Sequence, residues 1–129
     1  MITGIGTDLL RIDRLADALD VAGGPFMEAV FTAREEAHAR THPDPHAYLA
    51  MLFAAKEAVF KSLAANWDQG VKLSQVEITH GANGQPLVTL GGPLGALAQA
   101  QGVTVIRVSM SCDGDYAVAS AVAIAQGEA

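Results

Sequence analysis

The apolar segment at residues 53–61 carries two charged side chains that could act together, Glu57 and Lys61. Residues four apart lie one above the other on the same face of a helix. This spacing alone favours a surface ion pair that stabilises the helix by about 0.3 kcal/mol. Phe53 and Phe60 flank the pair, and a half-buried carboxylate beside an ammonium suits metal-assisted phosphate chemistry. There the carboxylate binds Mg²⁺ and the lysine offsets phosphate charge.

Asp8 is the candidate for a second metal-binding carboxylate, because it follows Gly6 and Thr7 near the end of the first predicted strand. Taken alone, a carboxylate in that position is more often a turn or cap residue. Hard cations usually take one or two carboxylates together with phosphate oxygens. Asp8 and Glu57 would therefore form a minimal Mg²⁺ site if the strand packs beside the helix.

Three histidines spaced by four residues suggest a metal-binding stripe along a helix: His38, His42 and His46. Pro43 and Pro45 interrupt the helix between the last two, because proline lacks the backbone N–H that a helix interior needs. We therefore interpret this segment as a polar loop rather than a metal site.

The chain has 129 residues with a formal net charge of −6, and half of its residues are apolar. This length and apolar content predict one folded domain, residues 1–129. The acidic balance argues against nucleic acid as a partner, since binding a phosphate backbone needs basic patches. No apolar run reaches the roughly 18 residues of a membrane span, and the N-terminus lacks a secretory signal. We therefore expect a cytoplasmic protein that makes no membrane contact.

Hydrophobic periodicity predicts the elements that must position the charged residues. A first strand covers residues 2–10, and a helix begins near residue 12 and ends at Gly23-Gly24-Pro25. Thr32 and Glu35 form a capping box that starts a second helix, which runs to about residue 41. A longer helix at 46–65 contains Glu57 and Lys61.

The second half of the chain alternates like strands. It predicts strands at 76–79, 87–90, 103–111 and 116–124, and a helix at 94–101. The last strand is almost wholly apolar, which predicts that it is covered on both faces. Antiparallel hairpins with segregated helices indicate the α+β class.

Two motifs in this chain resemble the signature motifs of the 4′-phosphopantetheinyl transferases. GIGTD at residues 4–8 is similar to the first, and FAAKEAVFK at 53–61 is similar to the second. The small type of the family, the holo-[acyl-carrier-protein] synthases, is similar throughout. The further matches are FTARE at 31–35, NGQP at 83–86, SMSCD at 109–113 and YAVA at 116–119. The resemblance implies the phosphopantetheinyl transferase fold, an antiparallel sheet packed with helices.

The resemblance also implies a reaction, the transfer of 4′-phosphopantetheine from coenzyme A to a serine of an apo acyl carrier protein, with release of 3′,5′-ADP. Asp8 and Glu57 would ligate Mg²⁺ together with the pyrophosphate of coenzyme A. Lys61 would contact phosphate and offset the charge that develops on transfer. The serine proton would go to Asp113, to Glu57 or to a water, and the sequence leaves these three open.

Further expectations concern the co-substrate, the assembly and the pathway. The resemblance implies that a turn meets the adenosine end of coenzyme A; its residues are Asn83, Gly84, Gln85 and Pro86. It also implies a homotrimer with active sites between neighbours, which would explain a last strand covered on both faces. Fatty acid biosynthesis is the expected pathway, although the sequence does not name the carrier protein.

The chain departs from the family pattern at positions that bear on binding. Leu52 stands where the family usually has arginine, and Cys112 replaces the histidine of the hairpin. Arg11 and Arg14 remain from the basic row through which the family docks acyl carrier protein. Three acidic residues lie among them: Asp13, Asp17 and Asp20. The alternative is therefore a divergent, non-catalytic trimer that binds coenzyme A or a carrier protein.

Overall fold

The computed structural model describes residues 1–126. It shows the predicted α+β architecture, with a three-stranded antiparallel sheet of order β1-β5-β4 and a separate antiparallel hairpin of β2 and β3. The strands are β1 Ile2–Arg11, β2 Val76–His80, β3 Pro86–Leu90, β4 Val105–Asp113 and β5 Tyr116–Ile124. The helices are α1 Ile12–Val30, α2 Ala33–Arg40, α3 Pro45–Ser62 and α4 Gly92–Ala100, with short 3-10 turns at Trp67–Gln69 and Leu73–Gln75.

Helix α3 lies in the core between the sheet and the other helices. Most of its residues are buried, and it packs across β1 and β5. The face of β5 that meets it consists of alanines that are at most 1% exposed: Ala117, Ala119, Ala121 and Ala123. Such small side chains let the helix approach the sheet closely.

The other face of the sheet is open in the single chain. Ile5 is 72% exposed, Leu9 65% and Val118 40%. The prediction that the last strand is covered on both faces is therefore wrong for one chain. The reason is that the helices pack on the alanine face only, so the sheet's second apolar face has no cover from its own chain.

Helix α1 continues past the predicted end at Gly23-Gly24-Pro25. Gly23 has φ 59° and ψ −135°, a conformation that interrupts the helix, and a second helical stretch then runs to Val30. Pro25 is tolerated there because a helix does not use the N–H groups of its first turn. The prediction was correct about the break and wrong about the residues after it, which are helical.

Helices α2 and α3 begin as capping chemistry requires. The capping box is present, since the Glu35 N–H donates to the Thr32 hydroxyl at 3.3 Å and the Thr32 N–H donates to Glu35 Oε1 at 2.9 Å. Asp44 caps α3 by accepting from the Ala47 N–H at 3.1 Å. The break predicted at Pro43 and Pro45 is confirmed, since α2 ends at Arg40 and Pro45 occupies the first turn of α3. In residues 1–126 no helix has the length and apolarity to cross a bilayer.

Candidate active site

The residues predicted to form a metal site come together where β1 crosses the C-terminal half of α3. The Lys61 ammonium lies 3.2 Å from the Asp8 carboxylate and donates a hydrogen bond to the Thr7 carbonyl at 2.9 Å. Glu57 lies one turn before Lys61 on the same helix. The strand and the helix thus bring Asp8, Glu57 and Lys61, three of the four charged side chains in the two motifs, to one place.

Two glycines allow this close crossing. A Cβ added to Gly4 would lie 1.9 Å from the Ser62 carbonyl oxygen, and one added to Gly6 would lie 2.1 Å from the Ala58 carbonyl oxygen. Any larger residue would push β1 away from α3. The glycines of the first motif are therefore what places the Asp8 carboxylate beside Lys61.

The charges of this centre do not balance. Two carboxylates, Asp8 and Glu57, face one ammonium, Lys61. Partial burial raises the pKa of Glu57, the negative charge of Asp8 raises it further, and Lys61 opposes both. The Asp8 side chain is 18% exposed and that of Lys61 54%, so solvent and ligands can reach the centre.

A divalent cation would relieve this excess of negative charge. Across residues 1–126, no group of three or more histidine, cysteine, aspartate or glutamate side chains is arranged to hold a metal. Two carboxylates suit Mg²⁺ in particular, because that ion is usually bound by one or two carboxylates, by waters and by substrate phosphates. Asp8 and Glu57 therefore fit Mg²⁺ together with a phosphate-bearing ligand.

Comparison with known proteins agrees with this chemistry. The protein-family model described as the 4′-phosphopantetheinyl transferase superfamily matches residues 4–121 of this chain. The chain belongs to this superfamily. It is 39% identical to a holo-[acyl-carrier-protein] synthase of Desulforudis audaxviator over 128 residues, which are 99% of this chain and 97% of that protein.

Solved structures of other family members are also similar to this phosphopantetheinyl transferase. The holo-[acyl-carrier-protein] synthase of Neisseria meningitidis superposes with a TM-score of 0.87 at 32% identity, over 96% of this chain and 99% of that one. A Chronobacterium ammoniagenes protein described as an ACPS-CoA complex has a TM-score of 0.81 at 30% identity, over 96% and 98% of the two chains.

In this transferase Glu57 also borders an apolar cavity of about 750 Å³. The cavity adjoins the kinked part of α1, and its lining includes Pro25, Phe26, Phe53, Trp67 and Val71. The rings of Phe26 and Phe53 stack at 6.4 Å. Glu57 therefore lies between a charged centre and an apolar space. Sequence reasoning noted Phe53 but missed the cavity, because α1 was expected to end before Phe26.

The structure does not bring Asp113 to the centre within one chain. Asp113 pairs with Tyr116 on the exposed face of the sheet, whereas Asp8 pairs with Ala119 on the face that meets α3. Side chains of successive strand residues point to opposite faces. Asp113 therefore lies across the sheet from Asp8 and Glu57 of its own chain.

The turn at residues 83–86 also lies apart from the centre within one chain. His80, at the end of β2, contacts Tyr48 in the first turn of α3 and Gly84 in the turn. Tyr48 and Glu57 are nine residues apart, which is about 14 Å along a helix. The turn thus belongs to the N-terminal end of α3, and the charged centre belongs to its C-terminal half.

The residues that depart from the family pattern differ in burial and in their contacts. Leu52 is fully buried in the core, so this position contributes no charge to any binding surface. Cys112 is exposed near the end of β4. Arg11 pairs with Asp13 at 3.2 Å and lies over the ring of Tyr116 at 5.5 Å, so its charge is already engaged within the chain.

The sequence did not predict one charged pair, that of Lys56 with Glu35. Lys56 is fully buried, and its ammonium lies 2.6 Å from Glu35 of α2. The same ammonium donates to the Leu73 and Val76 carbonyls, and the second Glu35 oxygen accepts from the Ile78 N–H at 2.7 Å. The available signal is a lysine in a largely apolar helix, preceded by Ala54 and Ala55, since such a charge needs a partner when buried.

The histidine segment is not a single loop. His38 lies in α2 and His46 in α3, while His42 lies in the short link between the helices. His38 and His42 both pack against the ring of Tyr48, with centroids 5.2 Å away in each case. The interpretation as a polar loop is therefore correct for the link that contains His42 and wrong for His38 and His46, which lie at the ends of the two helices.

Proposed function

We propose that this chain transfers 4′-phosphopantetheine from coenzyme A to a serine of an apo acyl carrier protein and releases 3′,5′-ADP. The observation that carries the proposal is the meeting of Asp8, Glu57 and Lys61, which come from two motifs far apart in sequence. The names of its relatives, and the coenzyme A complex of one similar structure, support this choice of reaction.

The three charged residues have separable tasks in this proposal. Asp8 and Glu57 hold Mg²⁺ together with the pyrophosphate of coenzyme A. When bound, the ion supplies Lewis-acid polarisation of the phosphate. Lys61 contacts a phosphate oxygen and offsets the negative charge that develops as the bond to the leaving group breaks. A phosphate can reach its ammonium because the side chain is half-exposed.

The proton of the attacking serine needs an acceptor near the centre. Glu57 is the candidate within the same chain, because its carboxylate lies at the centre beside Asp8 and Lys61. Asp113 is a candidate only if it comes from a neighbouring chain, since it lies across the sheet in its own. A water is the third candidate.

A homotrimer would bring the separated parts together. The open sheet face exposes Ile5, Leu9 and Val118, an apolar surface of the kind that subunit interfaces cover. A neighbour seated there could place its own 83–86 turn beside the charged centre. We propose that the residues of this turn receive the adenosine end of coenzyme A: Asn83, Gly84, Gln85 and Pro86.

The remaining parts of the proposal concern the carrier and the setting. The whole chain, residues 1–129, acts as one transferase domain. The carrier protein docks through Arg11 and Arg14, although the pairing of Arg11 with Asp13 weakens its attraction for an acidic partner. Action in the cytoplasm and in fatty acid biosynthesis stays a prediction.

The test is a transfer assay. The protein is incubated with coenzyme A, Mg²⁺ and a panel of apo carrier proteins, and each carrier is weighed by mass spectrometry. Added phosphopantetheine on a carrier, lost when EDTA removes the metal, supports the proposal. No added mass on any carrier from the source organism overturns it.

The second candidate function is binding without catalysis. The burial of Leu52, where the family usually has an arginine, favours it, because one cationic contact to coenzyme A is missing. Calorimetry with coenzyme A separates the two functions. Binding of coenzyme A without turnover on any carrier supports the second candidate, and turnover excludes it.

A further inference from the structure

A short chain of hydrogen bonds links helix α3 to the 83–86 turn. The Tyr48 hydroxyl and His80 Nε2 are 2.6 Å apart, and His80 Nδ1 lies 3.2 Å from the Gly84 carbonyl oxygen. Tyr48 belongs to the first turn of α3, and His80 is the last residue of β2. These two hydrogen bonds thus join a core helix to an exposed turn through one imidazole ring.

The chemistry of the three groups sets the direction of these bonds. A carbonyl oxygen only accepts, so His80 Nδ1 carries the hydrogen that it donates to Gly84. In the neutral ring Nε2 then accepts, and the Tyr48 hydroxyl donates to it. Burial raises the pKa of Tyr48 to about 12, so that hydroxyl keeps its proton at neutral pH.

Packing holds both side chains in place. Tyr48 is only 4% exposed. The His38 ring stacks on His80 with centroids 4.7 Å apart, and His42 stacks on Tyr48 at 5.2 Å. The linking ring of His80 therefore has a hydrogen bond at each nitrogen and another imidazole on its face, which leaves it little freedom to rotate.

The turn has its own internal bonds, which fix its shape. The Gly81 N–H donates to the Gln85 carbonyl at 2.8 Å, and the Gly84 N–H donates to the Gly81 carbonyl at 2.9 Å. Residues 82–85 are nevertheless exposed. Internal bonds fix the shape of the turn, but they do not fix where it lies relative to the helices. The bond between Tyr48 of α3 and His80, continued by the bond from His80 to Gly84, ties the turn to that helix.

We propose that Tyr48 and His80 are positioning residues for coenzyme A, because they hold the 83–86 turn at the place where it receives the adenosine end. This inference rests on the proposed function, in which that turn binds adenosine. Neither residue acts on the phosphate, which is bound at the other end of α3. Their loss should therefore weaken binding of the nucleotide and leave the chemical step unchanged.

Three variants test the chain of hydrogen bonds. Tyr48→Phe keeps the ring and removes the hydroxyl. His80→Asn places an amide N–H at the position of Nδ1 and keeps the donor to Gly84. His80→Gln places its amide at the position of Nε2 and loses that donor. His46→Asn serves as the matched control, because His46 is exposed at the start of α3 and takes no part in the chain.

Binding of 3′,5′-ADP is measured by calorimetry, and kcat and KM for coenzyme A are measured in the transfer assay. We expect His80→Gln to raise the Kd of 3′,5′-ADP and the KM of coenzyme A about tenfold, the effect of one or two lost hydrogen bonds. His80→Asn and Tyr48→Phe should each raise them a few-fold. For all three variants kcat should stay within twofold of wild type, and His46→Asn should match wild type in every value.

The outcomes distinguish a failure of this inference from a failure of the proposed transferase function. Wild-type protein that neither binds 3′,5′-ADP nor transfers phosphopantetheine overturns both. Wild-type protein that does both, with variants whose Kd and KM are unchanged, overturns the inference alone. A fall in kcat together with a lower Tm would show a structural role for Tyr48 and His80, which also overturns it. Tyr48→Phe is the variant that best keeps the packing.

Discussion

Adjacent residues of α3 belong to two charged clusters of opposite character. Lys56 is fully buried against Glu35, in a one-to-one pair whose remaining hydrogen-bonding groups all have backbone partners. Glu57 is half-buried, in a cluster of two carboxylates and one lysine that solvent can reach. The first cluster balances its charges within the chain, and the second holds an excess of negative charge that a bound cation would offset.

This difference shows how one short motif can serve both architecture and chemistry. The buried pair ties α3 to α2 and to β2, since Glu35 also accepts from the Thr32 and Ile78 N–H groups. Burial lowers the pKa of Lys56, but the charge of Glu35 opposes that effect. The cluster of Asp8, Glu57 and Lys61 links only β1 and α3, through the contacts of Lys61 with Thr7 and Asp8. Mutations in the first should therefore act on stability, and mutations in the second on transfer.

The largest effect should come from breaking the buried pair. Lys56→Ala leaves Glu35 as an uncompensated buried charge, which lowers the free energy of unfolding by about 3–5 kcal/mol. Urea denaturation followed by circular dichroism measures it. The control Lys72→Ala removes an exposed lysine and should change that free energy by less than about 0.5 kcal/mol. Equal losses in the two variants would contradict the comparison.

Removing a carboxylate from the cluster of Asp8, Glu57 and Lys61 should have the opposite effect: it should slow transfer and leave stability unchanged. Glu57→Gln and Asp8→Asn should each slow Mg²⁺-dependent transfer by at least about 100-fold, since a lost metal ligand removes roughly 2.7 kcal/mol or more from the transition state. Stability should be kept, because the change relieves repulsion between like charges. If Glu57→Gln transfers at the wild-type rate, or unfolds as a core mutant would, this assignment of the site is wrong.

Lys61 should have a smaller and different effect. Lys61→Met keeps an unbranched side chain that is one atom shorter and removes the charge, so it should lower kcat about tenfold, or roughly 1.4 kcal/mol. Affinity for Mg²⁺ should change less than kcat, because the lysine acts on phosphate rather than on the ion. Titration of Mg²⁺ in the transfer assay separates the two. If Mg²⁺ affinity falls more than kcat does, Lys61 acts on the ion rather than on the phosphate, and this prediction is wrong.

The smallest effect should appear in the pH dependence of stability. The folded state holds the Glu57 proton more tightly than the unfolded state, whose carboxyl has a pKa near 4.5. The free energy of unfolding should therefore fall as pH rises above that value through the raised pKa of the folded protein. Glu57→Gln should lack this fall, and added Mg²⁺ should cancel it in the wild type. Denaturation midpoints between pH 4 and 8 measure the difference, and parallel curves would contradict it.

Local patterns were enough to predict most of the elements and to single out the charged residues, but not to show that Asp8 meets Glu57, which depends on how β1 packs against α3. The spacing of Glu57 and Lys61 and the glycines before Asp8 lie within single elements, so the sequence reveals them directly. The partner of Lys56 was not predictable in that way, because Glu35 had an adequate local role as a capping residue. The position of Asp113 was missed for a related reason, since strand register decides which face of the sheet it occupies.

The contact of β1 with β5 also bears on how the protein folds. The Thr7 hydroxyl donates to the Ala119 carbonyl at 3.1 Å, across a sequence separation of 112 residues. Loops of that length close slowly, because the chain must lose much entropy before the contact forms. Asp8 lies on β1, so a refolding chain that has already formed α3 still lacks the meeting of Asp8 with Lys61 until β1 pairs with β5. If these residues bind Mg²⁺ as proposed, the gain of Mg²⁺ binding during refolding would report the final closure of the sheet.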